Sequence, residues 1–153
     1  MSRAISFVIR LCGLLLTVAF AVTAAAQFAE TYKTEVRVQL DSIKAAASRE
    51  LGRSLISTHD IYYVNLSNDT YKDIAYTLES GRTYVFVGAC DNDCASLQLK
   101  LYDGNMDLVD SEQTGLPMVS MSVARGGTAY LRVTMRGCRV GYCWSGVGVY
   151  TTQ

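Results

Sequence analysis

Two closely spaced pairs of cysteines are the residues of this chain best placed to do chemistry. Three residues separate Cys90 from Cys94, and four separate Cys138 from Cys143. Four thiolates at such spacings are not far from the ligand set of a structural zinc site. Thiol–disulfide exchange favours two intervening residues at a helix start, and neither pair has that spacing or context. Besides a zinc site, the other interpretation is that the four cysteines form disulfide bonds.

The N-terminal segment helps to decide between a zinc site and disulfide bonds. Residues 1–26 carry two arginines, an apolar run and a small-residue exit before Gln27, which is the pattern of a cleaved secretory signal peptide. The apolar run is short for a membrane span. Cys12 lies inside this segment, so four of the five cysteines remain after cleavage. An even number in an exported chain predicts two disulfides and disfavours zinc, because thiols pair in an oxidising compartment.

Charge and hydropathy narrow the classes of partner. Without residues 1–26 the chain has 12 basic and 14 acidic side chains, and no basic stripe remains. This argues against nucleic acid as the natural partner. No later segment is apolar enough to span a membrane. The sequence therefore predicts an exported chain, periplasmic or extracellular, with no transmembrane segment after cleavage.

Residues 27–57 have the pattern of one long amphipathic helix. Apolar side chains recur every three or four residues, at Phe28, Tyr32, Val36, Leu40, Ile43, Ala47, Leu51 and Leu55. Gly52 marks an early end or a bend. We favour the interpretation that the apolar stripe covers one face of a sheet. The alternative is that the helix at 28–55 makes a homo-oligomer or binds a partner.

The pattern changes to period two over residues 58–153. Short runs such as 97–101 and 129–135 alternate apolar and polar side chains, and turn signals such as Gly126-Gly127 separate them. About eight such runs predict a mainly β domain, an antiparallel β-sandwich of jelly-roll-like type.

Two stretches of this region carry motifs of a known family. They are GRTYVFVGACDNDCASLQLKLYDGNMDLVDSE at 81–112 and GGTAYLRVTM at 126–135. The matching positions are Gly81, Tyr84, Leu97, Leu99, Tyr102, Asp103, Tyr130, Arg132 and Val133. Over about residues 70–150 the chain resembles the secreted pre-peptidase C-terminal type of β-sandwich, which implies a non-catalytic accessory domain. The family's acidic pair falls on Ser96 and Gln98, so a role of those carboxylates does not transfer.

Calcium is the cofactor that the acidic residues could hold. Asp103, Asn105 and Asp107 occupy positions 1, 3 and 5 of a calcium loop, but Leu108 replaces the glycine that the loop requires. We favour a hairpin turn there, because Asp-Gly between strands is a strong turn signal. The run 91–93 could also offer oxygen ligands, and a solvated turn is favoured. The sequence thus predicts no cofactor, with calcium as the alternative.

No pattern of nucleophile and base stands out. His59 is the sole histidine of the chain, and its place between helix and strands suits a cap or loop residue better than a general base. A nucleophile elbow has a glycine two residues before its serine. Before Ser145 that position is Cys143, so the motif is incomplete. We therefore predict that the protein is not an enzyme.

Alternating strand directions from Arg82 onward would bring both cysteine loops to one end of the sandwich. Loops at the end of a rigid scaffold are frequent binding sites. The candidate binding residues at this end are Asp91, Asn92, Asp93, Glu112, Arg139, Tyr142 and Trp144. Trp144 has the alternative of lying in the core. Local pairing of the cysteines is favoured over cross-pairing, because each loop brings its own ends together.

The sequence thus predicts an exported, non-catalytic binding or envelope-associated accessory protein held by two disulfides. Its partner would be a protein or glycan of the envelope or outside the cell. One alternative is a carbohydrate-binding or calcium-dependent β-sandwich module. Another is an oligomeric assembly subunit that uses its N-terminal helix.

Overall fold

A computed structural model describes residues 29–112 and 116–152 of the 153-residue chain. The predicted signal at 1–26 lies outside the described residues. The chain divides into two compact units between Tyr32 and Lys33, and the second unit contains every strand described here. None of the helical structure in the described part is long and apolar enough to cross a membrane.

Within the described residues helix α1 covers 29–51, so it ends six residues before the predicted end at 57. Gly52 has a positive φ of 62°, and its N–H donates to the carbonyl of Arg49 at 3.2 Å. The next N–H, of Arg53, donates to the carbonyl of Ser48 at 3.1 Å. These two bonds form a Schellman cap, which ends a helix at a glycine. Leu55, predicted on the apolar stripe of the helix, instead begins a strand.

In the described residues nine antiparallel strands form two sheets, which confirms the predicted β-sandwich. The strands are β1 (Leu55–Ser57), β2 (Tyr62–Ser67), β3 (Tyr71–Leu78), β4 (Arg82–Cys90), β5 (Leu97–Tyr102), β6 (Leu108–Ser111), β7 (Met118–Val123), β8 (Gly127–Met135) and β9 (Tyr142–Thr152). The five-stranded sheet has the order β1-β9-β4-β7, with β2 also paired to β9. The four-stranded sheet has the order β3-β8-β5-β6.

The main core lies between the two sheets. Strand β5 shows how period-two alternation builds it, because Leu97, Leu99 and Leu101 are buried while the residues between them are half-buried. Phe86 of β4 enters the same core from the opposite sheet and is fully buried. One face of each sheet is thereby assigned to the interior.

A second core lies on the outer face of the five-stranded sheet, under the part of α1 that belongs to this unit. Val36, Leu40 and Ala47 of the helix are fully buried there, in one cluster with side chains of β4 and β9. Strand β4 is consequently buried on both faces from Tyr84 to Ala89, which explains its nearly continuous apolar run. The apolar stripe of the helix covers a sheet face, as favoured from its spacing.

Glycine in β9 lets the helix approach the sheet. A Cβ atom on Gly146 would lie 2.7 Å from Cγ1 of Val36, well inside van der Waals contact. Two residues further along the same face, the ring of Tyr150 occupies the space where a Cβ of Gly148 would be. Gly146 thus lets the helix approach the strand closely, and Gly148 makes room for the Tyr150 ring.

We expect Gly146→Ala to destabilise the protein by about 1–3 kcal/mol, because the added methyl group overpacks the contact with Val36. Equilibrium unfolding in urea measures this loss. Gly127→Ala is the matched control, since a Cβ there meets nothing within 4 Å. In a Val36→Ala background the Gly146→Ala substitution should cost less than it does alone. Equal midpoints for the two glycine variants would contradict the close approach.

Candidate binding end

Two local disulfides close one end of the sandwich. Cys90 pairs with Cys94 and Cys138 pairs with Cys143, at Cα–Cα distances of 5.8 and 5.7 Å. This is the connectivity that the short loops favoured. Cys143 is fully buried and Cys138 nearly so, and both belong to the core between the sheets. The disulfides therefore also serve as apolar groups that cover the end of the core.

The two disulfide loops lie side by side. Cys94 and Cys138 form an isolated antiparallel β-bridge, and the N–H of Arg139 donates to the carbonyl of Asp93 at 3.0 Å. Residues 90–96 and 136–144, here called the disulfide end, thus extend the β5–β8 pairing beyond the strands. The predicted meeting of both loops at one end is what the topology produces.

Asn68, in the turn between β2 and β3, holds the second loop from another side. Its side-chain oxygen accepts from the N–H of Cys138, and its Nδ2 donates to the carbonyl of the same residue at 2.9 Å. Both backbone groups of one cysteine are thereby satisfied by a single amide side chain. No local pattern predicts this contact, since the two residues lie 70 positions apart and Asn68 has the local pattern of a turn residue.

Asp91 was predicted to be part of the exposed binding surface, and the structure buries it to 2% exposure. Its Oδ2 accepts from the N–H of Trp144 at 2.7 Å, and its own N–H donates to the carbonyl of Trp144 at 2.9 Å. Its Oδ1 is buried with no hydrogen-bond partner in the described residues. Asp91 therefore connects the ends of β4 and β9 rather than facing a ligand.

The buried position of Asp91 changes its acidity. Burial raises the pKa of its carboxyl group above the ordinary value, and the negative charges of Asp93 and Glu35 act in the same direction. The hydrogen bond from the Trp144 N–H opposes this rise in pKa without cancelling it. The ionised form of Asp91 is thus held in the fold at a cost in stability.

Trp144 and Glu112 are both half-buried, and neither stands out from the end as an anchor would. The Trp144 side chain packs against the cluster under α1, and Nζ of Lys33 lies 5.7 Å from the centre of its ring. This position fits the core interpretation of Trp144. Glu112 lines a cavity of about 230 Å³ beside the Cys90–Cys94 disulfide, and burial raises the pKa of its carboxyl group.

The exposed part of the disulfide end comes mainly from the second loop. Val140 and Tyr142 are 56% and 59% exposed, and Arg139 is exposed beside them. The first loop is tied to α1 instead, because Oδ1 of Asn92 accepts from Nε2 of Gln39 at 3.2 Å. The disulfide end thus presents a basic, an aliphatic and an aromatic side chain on a loop held at both ends.

The candidate calcium loop is a hairpin turn in this structure. Oδ1 of Asp103 accepts from the N–H groups of Asn105 and Asp107, at 2.9 and 3.0 Å. The carboxylate therefore orders its own turn between β5 and β6. In the part of the chain that is described, no three His, Cys, Asp or Glu side chains are grouped closely enough to hold a metal ion.

His59 packs beside the core and is not aligned with a nucleophile. Its Nδ1 lies 2.9 Å from Oγ1 of Thr58, which itself donates to the carbonyl of Val149 at 3.1 Å. Its ring meets the ring of Tyr76 edge to face, with centroids 5.4 Å apart. The nearby Ser57 hydroxyl donates to the backbone carbonyl of His59, not to its ring. The Thr58 hydroxyl therefore gives its proton to the Val149 carbonyl and not to the imidazole, whereas an activated nucleophile donates to its base.

No protein-family model and no curated protein matches this chain. Among solved structures, PliG of Aeromonas hydrophila, a periplasmic lysozyme inhibitor of g-type lysozyme, aligns at a TM-score of 0.48 and 7% identity, over 62% of this chain and 87% of that chain. PliG of Salmonella Typhimurium, also a periplasmic lysozyme inhibitor of g-type lysozyme, aligns at a TM-score of 0.38 and 16% identity. This alignment covers 60% of this chain and 86% of that chain. At TM-scores below 0.5 these likenesses carry no argument about function. The resemblance to the pre-peptidase C-terminal family stays a prediction.

We expect Asp91→Asn to gain stability relative to the natural protein as the pH rises from about 4 to 7. A raised pKa in the fold means that the contribution of Asp91 is complete below its unfolded value, about 3.9, and is lost as the pH rises through the folded value. Asparagine keeps an acceptor for the Trp144 N–H but cannot ionise. Urea midpoints at several pH values measure the difference.

Asp91→Ala serves as the comparison for this series. It leaves the Trp144 N–H without its acceptor and should be less stable than Asp91→Asn by about 1–3 kcal/mol at every pH, because neither variant can ionise at this position. A difference between Asp91→Asn and the natural protein that stays constant with pH, or that changes in the opposite direction, would show that burial does not raise the Asp91 pKa.

Proposed function

We propose that this protein is an exported, non-catalytic binding protein whose disulfide end docks on a protein partner. The observation that carries the proposal is the second disulfide loop, which is held at both ends and presents Arg139, Val140 and Tyr142 to solvent. Two intact disulfides support export, because such bonds form and persist in oxidising compartments.

The construction of this loop suits binding. The Cys138–Cys143 bond, the Asn68 side chain and the hydrogen bond from Arg139 to Asp93 restrict it from three directions. A loop that is ordered before binding loses little conformational entropy when the complex forms.

The exposed side chains also have the character of an interface. Tyrosine and arginine are the residue types, with tryptophan, that contribute most to the energy of protein–protein contacts. Val140 and Tyr142 are both more than half exposed, so they have apolar surface to bury. We therefore assign the centre of the interface to these two residues, with Arg139 at its rim.

Site-specific photo-crosslinking tests the proposal in the native envelope. A photoreactive phenylalanine analogue at position 140 should cross-link one discrete protein other than a second copy of this chain. The same analogue at Lys72, an exposed position on β3, is the matched control and should not capture that protein. Equal capture from both positions, or cross-links to a second copy alone, would contradict the proposal.

Removing the second disulfide tests whether order in the loop matters. The double variant Cys138→Ala with Cys143→Ala keeps Arg139, Val140 and Tyr142 but should lose about 2 kcal/mol of stability, by the loop-entropy estimate. We expect the double variant to cross-link less of the partner from position 140 than the chain with the disulfide intact does. The two chains are compared at a temperature at which circular dichroism shows both to be folded. Tyr142→Ala with intact disulfides should also reduce capture. Full capture by both variants would remove the loop from the interface.

A further inference from the structure

The outer face of the four-stranded sheet carries a cluster of tyrosines around one arginine. Pairing in register sets Arg132 of β8 directly beside Asp73 of β3 and Lys100 of β5, so these side chains share a face. The guanidinium carbon of Arg132 lies 4.1 Å from the ring centre of Tyr71 and 5.5 Å from that of Tyr102. The arginine is thus held between two aromatic rings.

A third tyrosine extends this cluster along the sheet. Tyr130 lies two residues before Arg132 and is paired with Tyr102 on one side and Ala75 on the other. The small side chain of Ala75 leaves the β3 side of the Tyr130 ring with little to cover it. From Tyr71 to Tyr130 the face extends about 14 Å, given strand spacings of about 4.8 Å and rises of about 3.4 Å per residue.

Hydrogen bonds fix the polar groups at the centre. Nε and Nη2 of Arg132 donate to the two carboxylate oxygens of Asp73, both at 2.7 Å. This bidentate pair lowers the pKa of Asp73. The described bonds leave the Nη1 hydrogens of Arg132 and further lone pairs on Asp73 free to bind hydroxyl groups.

The charges on this face largely neutralise each other. Arg132 pairs with Asp73, and Arg136 pairs with Asp69 at 3.0 Å. Among the charged residues described on this face, Lys100 is the one for which no ion pair is found. A cationic ligand therefore finds both aspartates of this face already paired, and an anionic ligand finds the single charge of Lys100. A flat, uncharged ligand with hydroxyl groups at its edges matches both the rings and the paired polar groups.

From this arrangement we infer that the outer face of the four-stranded sheet binds a neutral glycan chain, with its sugar rings stacked on Tyr71 and Tyr130. The apolar C–H face of a sugar would lie on each tyrosine ring, and its hydroxyl groups would bond to Arg132 and Asp73. The length of the cluster suits about two or three sugar rings. Arg132 covers one face of the Tyr71 ring, and since Tyr71 is 55% exposed we assign the sugar to the opposite face. This site is separate from the disulfide end and does not depend on it.

Titration with two soluble neutral probes, cellohexaose and hexa-N-acetylchitohexaose, tests the inference by NMR spectroscopy of the folded chain. At least one probe should shift the amide signals of β3 and β8, and those of residues 138–143 should not move. Tyr71→Ala should weaken the binding constant about tenfold, as expected when an aromatic anchor is truncated. Tyr71→Phe keeps the ring and should bind within about threefold of the natural protein.

Two controls separate this site from the rest of the molecule. Tyr142→Ala, at the disulfide end, should leave glycan binding unchanged, whereas it reduces capture of the protein partner. Tyr62 lies on β2 of the other sheet and is 37% exposed. Tyr62→Ala should also leave glycan binding unchanged. No shift with either probe up to millimolar concentration, or equal binding by Tyr71→Ala, would overturn the inference. The inference would also be overturned if polygalacturonate, an anionic glycan, bound as tightly as the neutral probes or more tightly.

Discussion

Burial of both faces of strand β9 is the constraint on which the rest of this structure depends. One face of β9 places Cys143, Val147 and Val149 in the core between the sheets. The other face places Trp144 and Tyr150 under α1, with glycine between them. The same strand pairs with β1, β2 and β4. Sheet order, helix docking and the end of the second disulfide loop therefore meet in eleven residues.

The polar contacts at the disulfide end follow from the position of β9. Because β9 starts beside the end of β4, the backbone of Trp144 comes within hydrogen-bonding distance of Asp91. Cys138 and Cys94 then become neighbours, and Asn68 reaches the same loop from the β2–β3 turn. A buried carboxylate with one unpartnered oxygen weakens the fold, and the two disulfides at the same end counter that loss.

The helix makes the two outer sheet faces unequal. On the five-stranded sheet, Val36, Leu40 and Ala47 cover side chains of β4 and β9. On the four-stranded sheet the outer side chains stay in contact with water, and Arg132 holds Asp73 and two tyrosines together. The molecule thus offers two separate surfaces, one at the disulfide end and one on a sheet face.

The sequence by itself determined the elements of this protein. Period-two alternation located the strands, the 3.6-residue stripe located the helix and the face it buries, and the two cysteine pairs that follow the predicted signal indicated two disulfides. These signals work because they depend on neighbours in the chain. The end of the helix at Gly52 was ambiguous, and the three-residue β1 was missed, because so short a strand shows no alternation.

Only the tertiary structure decided what individual polar residues do. Asp91 and Trp144 lie 53 residues apart, and Asn68 and Cys138 lie 70 apart. No local pattern distinguishes a buried aspartate that accepts a distant N–H from an exposed one in a turn. The same holds for Arg132, whose partners Asp73, Tyr71 and Tyr102 come from two other strands. Such roles arise from strand order and register, which bring together residues that the chain itself keeps apart.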